Sequence, residues 1–370
     1  MIPPCLRALL DETDGQRQCE WAGRPVWLAR ESWGELAVCL QGAQVLHFLP
    51  APDPARAEGS LSAPAAAEAE GSRSSNAPGP ARAAGALSNA PRYCASDATR
   101  RSSASDDTRA GSDAAGPVEQ AEVLVPGGWL WVTPTPQPLP GAIRGGIPLC
   151  WPWFADDRGA DESPDRSGPF HGPARKADWR LDAVDEHEDG IELHLSPAEP
   201  LHTQLAPRAV IQANAHRLHV ELITEHVGET PVKLSAALHT YLAVTDSFAC
   251  RLGGLAGARY LDKLAGFAER DQQGELAVRG GLDRIYHTNA ELTLDDGNRR
   301  LRVARQGSDS AVVWHPGEAR PDDTPPGAAR RFLCVESANT RLDPVWLVPG
   351  AQHLLGTTLS LDEGARESDA

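Results

Sequence analysis

Residues 209–226 read AVIQANAHRLHVELITEH. In an extended chain successive side chains point to opposite faces, so Leu218, Val220 and Leu222 share one face and His219, Glu221 and Ile223 the other. That is strand periodicity, and it recurs on either side with turn residues between. Asp189-Gly190 leads into IELHLSP; Gly228-Glu229 leads into PVKLSAALHTYLAV; further on come ELTLDD, RLRVARQ, SAVVWHP, RFLCVES and HLLGTTLSL. Upstream lie PVWLAR, ELAVCLQGAQVLHFLP and AEVLVPGGWLWVTP. More than ten strands, with no convincing long amphipathic helix, predict an all-β protein built as a large antiparallel β-sandwich.

The texture breaks just after Pro50. From about residue 51 to 118 the chain is mostly Ala, Ser, Arg, Gly, Pro and Asp, a composition that cannot offset its ordering entropy by burial. We read a disordered insertion in a loop of a single domain spanning 1–370. The last residues, DEGARESDA (362–370), read as a frayed tail.

Hydrophobic residues at 41% supply a sizeable core, and a formal charge of -16 argues against nonspecific binding to nucleic acid or an anionic membrane. A small anionic ligand needs only two or three local cations. The seven cysteines are scattered and never form a CxxC pair, which suggests reduced thiols rather than a disulfide framework. The start, MIPPCLRALLDETD, lacks a basic n-region and its apolar stretch ends at Asp11; no window of 18 apolar residues occurs. A cytoplasmic, membrane-free protein is expected. Nothing sets its oligomeric state, and a monomer is the expectation.

Several residues are candidates for chemistry. In SAALHTYLAV, strand alternation places Leu238, Leu242 and Val244 on one face and His239 with Tyr241 on the other; a hydrogen-bonded histidine without chemistry is the plainer alternative. Glu336 closes RFLCVE, whose residues are apolar on both faces, so a buried strand delivers a carboxylate. Desolvation would raise it toward a useful base, and a salt bridge to an arginine is the alternative. His171 and Arg175 lie in HGPARKADW, where a plain turn would also explain Gly172 and Pro173. His216 and His219 point to opposite faces of a strand and no HExxH is present, so no metal is assigned. Neither GxGxxG nor a Walker A motif occurs, so no nucleotide cradle is expected.

Taken in order, IRGGIPLCWPWF (143–154), HGPARKADW, ALHTYLAV, GLDRIY (281–286) and FLCVE resemble the hexose-6-phosphate mutarotases, or glucose-6-phosphate 1-epimerases, of the aldose 1-epimerase superfamily. The resemblance runs from about Trp27 to Leu361, apart from the insertion. It implies a galactose-mutarotase-like β-supersandwich that binds a small sugar phosphate, with no cofactor. It also implies Glu336 as the base that takes the anomeric hydroxyl proton and His239 as the acid that protonates the ring oxygen, the two swapping on closure. His171 would hold the sugar, Arg144 and Arg175 the phosphate. Asp283 and Lys263 match positions near the pocket; Asp283 could equally be a turn residue paired with Arg284. This chain departs from the family pattern at Ala155, where glycine is usual, and at Pro173, usually aromatic or aliphatic. Residues 315–330, HPGEARPDDTPPGAAR, are unlike the family and receive no role. The competing functions are a non-catalytic sugar-phosphate-binding protein on the same fold and a mutarotase of neutral aldoses.

Overall fold

The computed structural model describes residues 1–52, 127–155, 168–319 and 321–362. All lie in one compact unit formed by Met1–Ala57 and Ala121–Ala370. The expected insertion and tail fall almost wholly outside the described residues.

The period-2 segments form antiparallel sheets, giving the expected large β-sandwich. A nine-stranded sheet has Gln352–Leu361 and Arg217–His226 at its centre. An eight-stranded sheet is centred on Phe332–Asn339, flanked by Ser310–His315 on one side and Ala236–Leu238 and Tyr241–Ala243 on the other. Alternate residues of the two sheets build the main core. Leu218, Val220, Leu222 and Leu359 pack with Leu238, Leu242, Val313, Leu333 and Val335 in one cluster. The other face of the eight-stranded sheet carries smaller clusters, with Trp131, Tyr241, Phe332 and Cys334 in one and Cys150, Phe154, Ile285, Val312 and Ala338 in another. It is this second face that bears the site.

Two expectations need correction. PVKLSAALHTYLAV is not one long strand but three short pieces, Val232–Leu234, Ala236–Leu238 and Tyr241–Ala243, the first pairing separately with Val345–Leu347. Of AEVLVPGGWLWVTP, residues 121–126 lie outside the described set, and the rest makes only isolated bridges. Its backbone N–H groups bond four different segments: Trp129 to Phe48, Trp131 to Tyr241, Val132 to Met1 and Thr133 to Arg144. With its donors shared out in this way, no single ladder forms.

A short helix, Pro4–Asp11, was not foreseen. Proline in its first turn costs nothing because those N–H groups lack intrahelical partners. Leu6 and Leu10, one turn apart, are buried against Val26, Leu28 and Leu46 of a four-stranded sheet made from 15–50. No helix among the described residues is long and apolar enough to cross a membrane.

The helix is pinned to this sheet through Glu35, whose carboxylate accepts two hydrogen bonds from Arg7 at 2.6 and 2.8 Å and lies 3.1 Å from His47 Nε2. Burial opposes the Glu35 charge, but His47 and Arg7 outweigh it and hold the carboxyl down at about 2. A depressed carboxyl contributes stability above its ordinary value near 4.5 that is lost as pH falls toward 2. Glu35→Gln should therefore cost on the order of 2–3 kcal/mol at pH 6. Melting curves should show the gap to the parent protein shrinking between pH 4.5 and 2.5; a gap independent of pH would refute the assignment.

Candidate active site

The antiparallel register brings the two main candidates together. Leu238 pairs with Ser337 and Tyr241 with Cys334, so continuing the same register sets His239 directly opposite Glu336. Directly opposed side chains share a face and lie close, and His239 Nδ1 is 3.4 Å from Glu336 Oε1. The ladder is interrupted at this pair. Thr240 N–H bonds back to the Leu238 carbonyl, and His239 N–H turns to Pro148 on the neighbouring segment. One cross-strand bond persists beside the pair, from the Val335 N–H to the Thr240 carbonyl.

Both groups are deeply buried, His239 at 6% exposure and Glu336 at 1%. Neither Glu336 oxygen, nor His239 Nδ1, has a hydrogen-bond partner among the described residues. Glu336 is not salt-bridged to an arginine, the alternative its sequence left open. Burial, helped by Asp283, pushes the Glu336 carboxyl well above its ordinary value. Burial, helped by His171, Arg175 and Arg144, pushes His239 well below its own. Each is driven toward its uncharged form because the site is desolvated.

The surrounding wall comes from many parts of the chain. A cleft of about 320 Å³ is lined by all seven predicted residues, Arg144, His171, Arg175, His239, Lys263, Asp283 and Glu336, together with Phe154, Phe170, Tyr241, Val312, Trp314 and Pro321. The Tyr241 ring stacks on His239 at 4.8 Å and 9°, confirming their common face. Of the aromatic run at 151–154, Trp151 is core and donates to Thr224 at 2.9 Å, while Phe154 belongs both to a core cluster and to the cleft wall.

Arg144 extends from a backbone fixed by Gly145 and Gly146. A Cβ on Gly146, at φ +61°, would come within 2.0 Å of the Val45 carbonyl oxygen, so only glycine permits this approach. The guanidinium does not stand free. Its Nε donates to Asp323 at 2.5 Å and its Nη1 to the Tyr241 hydroxyl at 3.3 Å. Asp323 belongs to the 315–330 segment that had received no role. Arg175 differs: its Nε is buried and lacks a hydrogen-bond partner among the described residues. Lys263 and Asp283 form a 2.8 Å ion pair. Asp283 lies in the strand Leu282–His287, not in a turn, and Arg284 instead sits over the Tyr260 ring.

His171 and Ala155 hold each other by two bonds. Ala155 N–H donates to His171 Nδ1 at 3.0 Å, and His171 N–H donates to the Ala155 carbonyl at 3.1 Å. An accepting Nδ1 leaves the ring proton on Nε2, making His171 a fixed donor. Burial, then Arg175, Lys263 and Arg144, keep its pKa down to about 2 and the ring neutral. Ala155 does this at φ +57°, the left-handed region that favours glycine, which accounts for the glycine usual at this position in the family pattern. The backbone role survives the departure.

The ligating atoms of His239, Cys334 and Glu336 lie within 4.8 Å of one another, as do those of Asp185, Glu192 and His194 on the outer strands. Burial raises the Cys334 thiol well above its ordinary value, which opposes the thiolate that a metal requires.

A family model described as "Aldose 1-epimerase" matches residues 121–360. The chain belongs to the aldose 1-epimerase family. It is 31% identical over 220 residues to the "Putative glucose-6-phosphate 1-epimerase" of Escherichia coli (strain K12), covering 56% of this chain and 72% of that one. It is likewise 31% identical over 236 residues to the Salmonella typhimurium protein of the same name, covering 60% and 74%. The crystal structure of a "putative mutarotase" from Salmonella typhimurium superimposes with a TM-score of 0.68 at 18% identity, covering 96% of this chain and 99% of that one. That likeness shows a shared fold. This aldose 1-epimerase family member is an isomerase of the epimerase or mutarotase type, as the motifs implied.

The strain at Ala155 generates a test. An L-residue in the left-handed region costs roughly 1–2 kcal/mol, part of which glycine returns as backbone entropy. Ala155→Gly should raise stability by about 0.5–1 kcal/mol in urea unfolding while leaving turnover near that of the parent. Destabilisation would show that the methyl group packs usefully.

Proposed function

We propose that the chain interconverts the α and β anomers of aldohexose 6-phosphates, with glucose 6-phosphate as the representative substrate. The observation that carries the acid/base reading is the His239–Glu336 pair, opposed across two strands at 3.4 Å on the floor of a cleft. The phosphate reading is supported by two guanidiniums in the wall and by the names of the relatives. The six described cysteines are all free, in keeping with a reducing, cytoplasmic setting.

Mutarotation opens the C1–O5 bond, turns the aldehyde and closes the ring on its other face. Ring opening needs a proton removed from O1 and one delivered to O5. With the shared proton on His239, Glu336 accepts the O1 proton as the electron pair of O1 becomes the carbonyl, the C1–O5 bond breaks, and His239 protonates O5. The product state has a protonated Glu336 and a neutral His239. Burial favours that same uncharged arrangement, and the reverse transfers close the ring on either face. His171, held as an Nε2–H donor, is placed to bind an oxygen of the sugar. Phe154, Phe170 and Trp314 give the apolar wall and limit water.

A neutral-aldose mutarotase is the second reading, favoured by one observation: Arg144 already has an anion in Asp323, so its burial alone does not call for a phosphate. Arg175, whose Nε has no hydrogen-bond partner among the described residues, becomes the more telling residue.

Saturation-transfer NMR should detect faster anomer exchange of glucose 6-phosphate, and Glu336→Gln or His239→Ala should lower kcat by about 10²- to 10⁴-fold. Undiminished exchange in both variants would sink the mechanism. Arg175→Ala should raise KM for glucose 6-phosphate at least tenfold more than for free glucose, about the effect of one charge-assisted hydrogen bond. Equal losses for the two sugars would favour the neutral-aldose reading.

A further inference from the structure

Residues 315–330 had no place in the sequence argument, yet they reach the cleft. The segment is fastened independently of any side chain on Asp323: the Asp323 carbonyl accepts a 2.5 Å bond from the Thr133 hydroxyl, and His315 Nε2 lies 2.9 Å from Ser247 Oγ and 3.0 Å from the Ala329 carbonyl. Pro321 lines the cleft, and the Asp323 side chain is only 6% exposed. The Thr133 N–H also donates to the Arg144 carbonyl, so one short stretch holds both the arginine backbone and the loop that faces it.

The consequence concerns which edge of Arg144 a ligand can use. A guanidinium offers carboxylates and phosphates two forked edges, a side edge made by Nε with one Nη and an end edge made by both Nη atoms. Asp323 occupies Nε at 2.5 Å, and Tyr241 Oη takes one Nη1 proton at 3.3 Å. Asp323 thus takes the Nε half of the side edge and Tyr241 one Nη1 proton, which leaves Nη2, shared by both edges, facing a ligand.

We propose that Asp323 is a positioning residue that locks Arg144 so that its Nη2 meets the anionic group of the substrate, making the 315–330 segment a determinant of preference for phosphorylated sugars. The inference rests on the phosphate reading above. Asp323 holds the guanidinium through Nε, the nitrogen joined to the side-chain stem. A long side chain with many rotamers is thereby fixed before the ligand arrives, and the entropy of ordering it is not charged to binding.

KM and kcat for glucose 6-phosphate and for free glucose should be measured by exchange NMR on the full chain for Asp323→Ala, Asp323→Asn, Asp323→Glu and Arg144→Ala. Asp323→Ala is expected to raise KM for glucose 6-phosphate about tenfold, the scale of a charge-assisted hydrogen bond, with kcat and the free-glucose values moving far less. Asp323→Glu should restore part of the loss. A KM for glucose 6-phosphate that is unchanged or lower in Asp323→Ala, while Arg144→Ala raises it, overturns the inference and leaves the phosphate reading intact. If Arg144→Ala leaves the preference between the two sugars unchanged, phosphate binding at Arg144 falls and the inference falls with it. Should Asp323→Ala fail to fold, the near-isosteric Asp323→Asn decides, with a smaller, about threefold, rise expected from weakening rather than deleting the bond and an unchanged or lower KM again overturning the inference.

Discussion

The antiparallel register of residues 236–243 against Phe332–Asn339 is the constraint on which the site depends. It is fixed on both sides of the His239–Glu336 pair, by Leu238 with Ser337 and by Tyr241 with Cys334. A slip of one residue would exchange the two faces of a strand. Leu238 and Leu242 would then leave the main core, and His239 would enter it. The apolar alternation that stabilises the sandwich therefore also holds an acid and a base in apposition. No separate device is needed to align them. The sheet then buries the pair, and burial sets its chemistry by making the charged forms of both groups costly.

The strands were legible because most of them bury one face, and one-sided burial writes alternation into the sequence. His239 and Tyr241 could be placed on a common face by counting, and the four apolar residues before Glu336 marked a strand buried on both faces. The break between Leu238 and Tyr241 was not legible, since it arises from competition for backbone donors by Pro148 and by the residue's own neighbours. Trp129–Thr133 misled for the same reason: its apolar residues have strand character, but its N–H groups serve several partners. The helix Pro4–Asp11 has only two turns, too few to stand out by period. Ala155 was visible as a departure from a family pattern, and the positive φ explains why glycine is usual there.

Asp323 marks the limit of sequence reading most clearly. Nothing in HPGEARPDDTPPGAAR distinguishes it from Asp322, and its partner is 179 positions away. The pairing exists because Thr133 and the buried His315 fasten the segment, relations that only the folded chain displays. Its presence also changes the argument about charge. Paired arginines in a cleft suggest an anionic ligand when they lack internal partners; Arg144 has one, and the suggestion passes to Arg175.

That redistribution matters for a protein of formal charge -16. At physiological ionic strength charges are screened beyond about 8 Å, and outside that range the molecule does not attract an anion. Inside the cleft, Asp323 balances Arg144 and Asp283 balances Lys263, while the acid/base pair carries no net charge in its favoured state. Arg175 is then the cation left unmatched among the described lining residues. Long-range steering contributes little, and recognition of an anion must come from hydrogen bonds made after entry. Such bonds depend on geometry more than on charge, which is why a carboxylate that fixes the direction of a guanidinium can favour anion binding although it lowers the local potential.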